Sequence, residues 1–239
     1  MYFSLVFGDI FWYDILMERK IQFSIGEFYH AYSRGNNKSK IFLVDTDKKR
    51  FMRLLFLCNS MRTVVFKDFE KMPLSEIKRG ETLVDIGAYC LMTNHFHLLL
   101  REKRENGISL FMAKLLTAYS MYFNKRHKRT GALFEGRFLA THADSDEYLK
   151  YLFSYIHLNP VKIVDPNWKI DGISDMKKVK QHLNNYFYSS YDDYIGKERE
   201  EKFILKKDVF PEYFEDFTEF EQFIDEWLTY KDEEVIRKT

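Results

Sequence analysis

The chain has 239 residues, enough for one large domain with a sizeable core; 46% of them are hydrophobic, 18% aromatic and 31% charged. That balance excludes a disordered chain, and no run of eighteen or more apolar residues marks a membrane span. The net charge of +1 conceals an asymmetry: residues 101–140 carry nine Lys/Arg against three Glu, whereas residues 197–239 carry eight Lys/Arg against fourteen Asp/Glu.

In chain order, the opening MYFSLVFGDIFWYDIL is apolar but lacks a basic leader and contains Asp9 and Asp14, which reads against a signal peptide. With Met17 following, residues 1–16 read as an N-terminal extension to a domain spanning 17–196. Cys58 and Cys90, without a CxxC, indicate neither a disulfide framework nor a zinc ribbon, so a reducing, cytoplasmic setting is expected. FSIGEFYHAYSRGNN (23–37) has strand composition ending in a turn signal, and DTDKKRFMRLLFLCNS (45–60) has helical spacing. TLVDIGAYCLMT (82–93) and HFHLLLRE (95–102) read as two strands around a short break. ISLFMAKLLTAYSMYFNKRHKR (108–129) is a helix whose last turn is cationic, suiting the negative end of its dipole. A turn and strand follow over 131–143. Asp144 with Glu147 resembles a capping box for a helix through YLKYLFSYIHL that stops near Asn159, because Pro160 disfavours continuation.

This order predicts an α+β ferredoxin-like sandwich: a central antiparallel sheet with helices on one face. Residues after Pro160 are turn-rich. Residues 197–239 read as a small acidic helical C-terminal appendage, with helical spacing in VFPEYFEDF and FEQFIDEWLTY.

Three groups of residues could carry chemistry. His95 and His97 flank Phe96 in a strand, so both imidazoles point to one face, close enough to share a metal, while Phe96 points into the core. A third ligand is then needed from elsewhere. Tyr155 and Asn159 lie four apart on a helix, one above the other, and a phenol can attack phosphorus to give a phosphotyrosine ester that is rejoined without ATP. Lys125, Arg126, Lys128, Arg129 and Arg137, interleaved with Tyr119 and Tyr122, have the composition of a surface for single-stranded or hairpin DNA.

YHAYSRGNNKSKIF (29–42), AYCLMTNHFHLLLRE (88–102), LLTAYSMYFNKRHKRTGALFEGRF (115–138), YIHLNPVK (155–162) and YSSYDDYIG (188–196) together resemble the REP-associated tyrosine transposase branch of the single-tyrosine HUH transposases. The resemblance covers residues 23–196. It implies a metal-dependent enzyme that nicks single-stranded DNA at or beside a hairpin and transfers the strand through a 5′-phosphotyrosine on Tyr155. It further implies Mg2+ or Mn2+ held by His95, His97 and Asn159, and either a monomer or a homodimer that exchanges the tyrosine helix. Thr93 departs from the Pro of many relatives. Two other readings stand beside this one: a non-catalytic hairpin DNA- or RNA-binding regulator derived from a transposase, and a metallonuclease that uses activated water.

Overall fold

A computed structural model describes residues 21–63 and 65–229; the expected N-terminal extension, 1–16, lies outside them. Its framework is β1 (Phe28–Arg34), α1 (Asp45–Leu57), α2 (Phe66–Phe69), β2 (Val84–Leu91), β3 (His95–Glu102), α3 (Gly107–Arg126), β4 (Leu139–His142) and α4 (Asp146–Leu158). Beyond these come α5 (Val161–Val164), α6 (Trp168–Asp171), α7 (Met176–Asn184), α8 (Tyr191–Tyr194) and α9 (Phe217–Thr229). All strand pairings are antiparallel, in the order β2-β3-β1-β4, which is the ferredoxin-like arrangement.

Strand alternation decides what each face of the sheet does. Tyr29 and Ala31 of β1, with Phe96, Leu98 and Leu100 of β3, join a core with Phe51 and Leu55 of α1 and Phe111, Leu115 and Tyr119 of α3. The two crossover helices thus share one face, as expected, and charged caps tie them down. The carboxylate of Glu102, at the end of β3, accepts the N–H groups of Gly107 and Ile108 at 2.9 and 2.7 Å, satisfying donors that open α3. Asp47, fully buried, accepts the N–H groups of Leu43 and Val44 at the start of α1 and meets Tyr122 and His127 near the end of α3.

Helices on one face alone is a description the structure corrects, because α4 covers the opposite face. Leu149, Leu152, Phe153 and Ile156 pack there against Ala88, Cys90 and Leu99. Helix α4 begins one residue later than the expected box at Asp144: Ser145 is the N-cap, its hydroxyl accepting the Tyr148 N–H at 3.2 Å. It stops at Asn159, ahead of Pro160.

The C-terminal segment then packs along α4. Phe153 meets Phe210, Tyr213 and Phe214, with centroids 6.3, 5.8 and 6.1 Å away, and Tyr151 meets Trp227 of α9 at 5.1 Å. Gly87, at an irregularity in the β2–β3 register, is what lets Phe210 in: a Cβ there would lie 2.6 Å from the Phe210 ring. The acidic segment is therefore not helical throughout. FEQFIDEWLTY lies largely within α9, while Phe210–Asp216 is irregular around Pro211, and its rings act as plugs rather than as a helix face.

Candidate active site

The face of the sheet beneath α4 holds the candidate residues. His95 and His97 project from β3 on the same side as Leu99, away from Phe96. Tyr32 of β1 lies directly opposite His97, which brings His30, two residues back, diagonally beside it. His30 Nε2 and His97 Nδ1 are 2.9 Å apart, and both rings are buried.

His95 Nδ1 sits 2.7 Å from Asn94 Oδ1. A carboxamide oxygen only accepts, so the ring donates through Nδ1 and keeps its Nε2 lone pair. His97 Nε2 is buried and has no hydrogen-bond partner among the described residues. If His97 likewise donates through Nδ1, to His30, the two Nε2 atoms become metal-ready lone pairs, each ring oriented by the hydrogen bond on its other nitrogen. The ring centroids of His95 and His97 are 5.0 Å apart.

Tyr155 comes down from α4 onto this group, its ring centroid 5.4 Å from that of His97 and 5.6 Å from that of His30, edge-on to both. One turn on, Asn159 donates its side-chain amide to the Tyr155 carbonyl at 2.8 Å, closing the last turn of α4. That bond commits the amide nitrogen, and the carboxamide oxygen is the atom suited to a cation. The structure thus places His95 beside His97, Tyr155 against His97, and Asn159 on the Tyr155 carbonyl. Among the described residues, no cluster of three or more His, Cys, Asp or Glu forms a metal-ligand set.

Burial dominates the electrostatics of these groups, and no acidic side chain figures among the causes. Burial lowers the His30 pKa from 6.5 to about 3. Burial, with Lys162 and Arg34 nearby, takes His95 to about 4; burial, with His30, His95 and Lys162, pushes His97 well below its ordinary value. The imidazoles are thus neutral, the state in which they ligate. Burial above all, with Tyr151, Tyr32 and Tyr148 around it, raises the Tyr155 phenol, and a side-chain hydrogen bond from Asn159 opposes the rise. Tyr155 therefore rests as a neutral phenol.

The expected DNA-binding residues divide. Lys125, Lys128 and Arg137 are exposed. Arg126 is exposed too, 3.6 Å from Asp47. Arg129 is partly held by its own loop, donating to Asn124 and to the Ala132 carbonyl. Tyr122 is half-buried, its hydroxyl donating to Asp47 at 3.0 Å and its ring lying under the Arg50 guanidinium. Tyr119 is a correction: it is fully buried, donates to the Ile41 carbonyl at 2.5 Å and packs against Phe51 and Phe42, so it offers no ring face to a base. The loop after α3 pairs with the end of β1 through the Gly35–Phe134 bridge and the Arg34–Glu135 ion pair. Arg34 lies across from His95, so this loop stands at the same end of the sheet as the histidines.

Four residues near the site are not singled out by sequence reasoning. His30 and Tyr32 lie on β1; Lys162 and Lys169 lie on α5 and α6.

Residues 49–159 match the model of the family described as IS200-like transposases, a span that contains His95, His97, the Lys125–Arg137 segment, Tyr155 and Asn159. No curated protein sequence matches the chain. Eleven chains of solved structures are similar. One is a REP-associated tyrosine transposase bound to a REP hairpin, 14% identical, with a TM-score of 0.47, over 76% of this chain and 87% of that one. Among the described residues, no helix is long and apolar enough to cross a membrane.

Proposed function

Because this chain belongs to the IS200-like transposase family, we propose that it nicks and rejoins single-stranded DNA, Tyr155 acting as nucleophile through a covalent 5′-phosphotyrosine. The observation that carries this reading is the Tyr155 ring lying edge-on to His97 and His30, with Asn159 closing the turn beneath it. Hairpin-bearing DNA is the substrate that fits, supported by the five ordered segments spanning residues 23–196.

The phenol gives up its proton to solvent as its oxygen bonds to phosphorus. The bond from phosphorus to the 3′ oxygen breaks, and that oxygen leaves as a 3′-hydroxyl after taking up a proton. Reversal by another 3′-hydroxyl rejoins the strand and frees Tyr155, with no external energy source, because one phosphodiester replaces another. A divalent ion fits the donors present: the Nε2 atoms of His95 and His97, one of them a buried atom without a partner, and the Asn159 amide oxygen. Such an ion supplies charge neutralisation at the phosphate, and the mixed nitrogen and oxygen set favours Mn2+ on softness, Mg2+ on abundance. The histidines' part is to remain neutral and fixed. That of Asn159 is to hold the end of α4, and with it the nucleophile, over the sheet.

The test is a Tyr155→Phe variant incubated with labelled single-stranded oligonucleotides and Mn2+, then denatured. Wild type should give a protein–DNA band that survives denaturation, and the variant none, while hairpin binding persists because only the attacking oxygen is gone. A surviving band in Tyr155→Phe transfers the role to another tyrosine; cleavage without any band supports attack by water.

A further inference from the structure

After Asn159 the chain continues through α5, which carries Lys162, and α6, which brings Lys169 over the Tyr155 ring. The Lys169 ammonium lies 5.2 Å from the Tyr155 ring centroid and 5.6 Å from that of Trp168, its buried neighbour. This segment is built, not slack. Asp165 accepts both the N–H and the hydroxyl of Ser174 at 2.8 Å, and the Asn167 carbonyl accepts from Ile170 and Asp171.

Lys162 acts electrostatically on Lys169 and also on His95 and His97. Two ammonium groups held near one another repel, and such pairs normally find carboxylates. Here, among the described residues, neither lysine has an ion-pair partner, and no acidic group figures in the surroundings of Lys162, Lys169, His95 or His97. Both lysines are exposed, so a phosphodiester can reach them, while the atoms packed around the Lys169 ammonium, with Lys162 contributing, lower its pKa to about 8. A bridging anion relieves the repulsion, and the anion a tyrosine nucleophile meets is a phosphodiester.

We propose that Lys169, supported by Lys162, is the cation that receives the non-bridging oxygens of the scissile phosphodiester while holding the Tyr155 ring beneath them. This rests on Tyr155 being the nucleophile. Lys169 makes and breaks no covalent bond and keeps its proton; it supplies fixed positive charge where negative charge accumulates as the phenol attacks.

The full-length protein and the oligonucleotides on which wild type forms the covalent band are used in single-turnover reactions with Mn2+ at saturating DNA. Lys169→Met should slow adduct formation about 100-fold, the scale of losing one fixed charge-stabilising donor. Its DNA affinity should change little, Lys169→Arg should recover most of the rate, and Lys177→Met, an exposed change on α7, should have no effect. In parallel, inorganic phosphate is titrated against metal-free protein by 31P NMR. The Lys162→Met/Lys169→Met double variant should bind phosphate about tenfold more weakly than wild type, the loss expected from one charge-assisted hydrogen bond. An unchanged rate in Lys169→Met, or a Lys169→Arg variant as slow as Lys169→Met, overturns the proposal. If wild type forms no adduct, it is the nucleophile reading that fails. The phosphate titration then decides alone: equal affinities overturn the lysine pair, and weakened binding upholds it as an anion site.

Discussion

His30 offers the sharpest test of how the histidines are arranged. Its Nε2 is 2.9 Å from His97 Nδ1, and both rings are about 3% exposed, so no water can replace the bond if it is broken. A His30→Phe change keeps a ring of similar size but removes the acceptor, leaving the His97 Nδ1–H buried and unsatisfied. The cost of such an orphan is about 1–3 kcal/mol. Since about 1.4 kcal/mol is a factor of ten, and since hydrogen-bond partners of metal ligands typically matter about 10–100-fold, Mn2+ affinity should fall about 10–100-fold. His30→Gln, which restores an acceptor with looser geometry, should lie between. Mn2+ binding is followed by electron paramagnetic resonance of the free ion in a Tyr155→Phe background, so that no DNA chemistry intervenes. Circular dichroism confirms that each variant is folded. Unchanged Mn2+ affinity in a folded His30→Phe protein would refute the assignment of Nδ1–H to His97, and with it the claim that Nε2 is the ligating atom.

Two further outcomes follow from burial and charge. His30 and His157 are buried, with pKa values depressed by burial from 6.5 to about 3, so the unfolded chain takes up protons that the folded chain refuses. Stability is fully present above pH 6.5 and falls as the pH drops toward 3, at about 1.4 kcal/mol per pH unit for each such histidine. Urea midpoints in EDTA should therefore drop clearly between about pH 7.5 and 5, and His157→Gln should flatten the dependence; pH-independent midpoints would contradict it. Replacing the exposed Lys125, Lys128 and Arg137 with Ala should weaken binding to all single strands alike and reduce the logarithmic salt slope by about 0.7 for each phosphate no longer neutralised. Fluorescence anisotropy across a salt series measures this, and an unchanged slope would remove these residues from the DNA surface.

The strand His95–Glu102 is legible to the residue, because alternation about an HxH pair has only one parity that buries Phe96. The helix carrying Tyr155 is equally legible, its start displaced by one residue because Asp144 and Ser145 are both good caps and only backbone geometry chooses between them. His30 escapes notice although its own strand repeats the pattern: His30 and Tyr32 alternate with Tyr29 and Ala31, so a polar face opposite a core face is there to be read. What the sequence withholds is register, since sliding β1 along β3 would send His30 elsewhere. Tyr119 misleads because its aromatic ring groups with the cations around it, whereas its spacing of four from Leu115 places it on the core stripe of α3. Lys162 and Lys169 lie in a stretch that reads only as turns, and their position depends on the path of the chain after Pro160, which no local periodicity encodes. The segment around Pro211 has apolar spacing resembling a helix, but those rings fill gaps over α4.

That packing has a bearing on how firmly Tyr155 is held to its own sheet. A tyrosine helix that is traded between two subunits must be able to leave its own sheet, yet here α4 is sandwiched. Leu149, Leu152, Phe153 and Ile156 press on Ala88, Cys90 and Leu99, Phe210 and Phe214 pack beside Phe153, with Phe210 seated in the notch that Gly87 leaves open, and Trp227 covers Tyr151. Departure of α4 would strip both layers at once and expose the aromatic rings to water. The strap along α4 thus keeps Tyr155 beside His97 and His30 of its own chain.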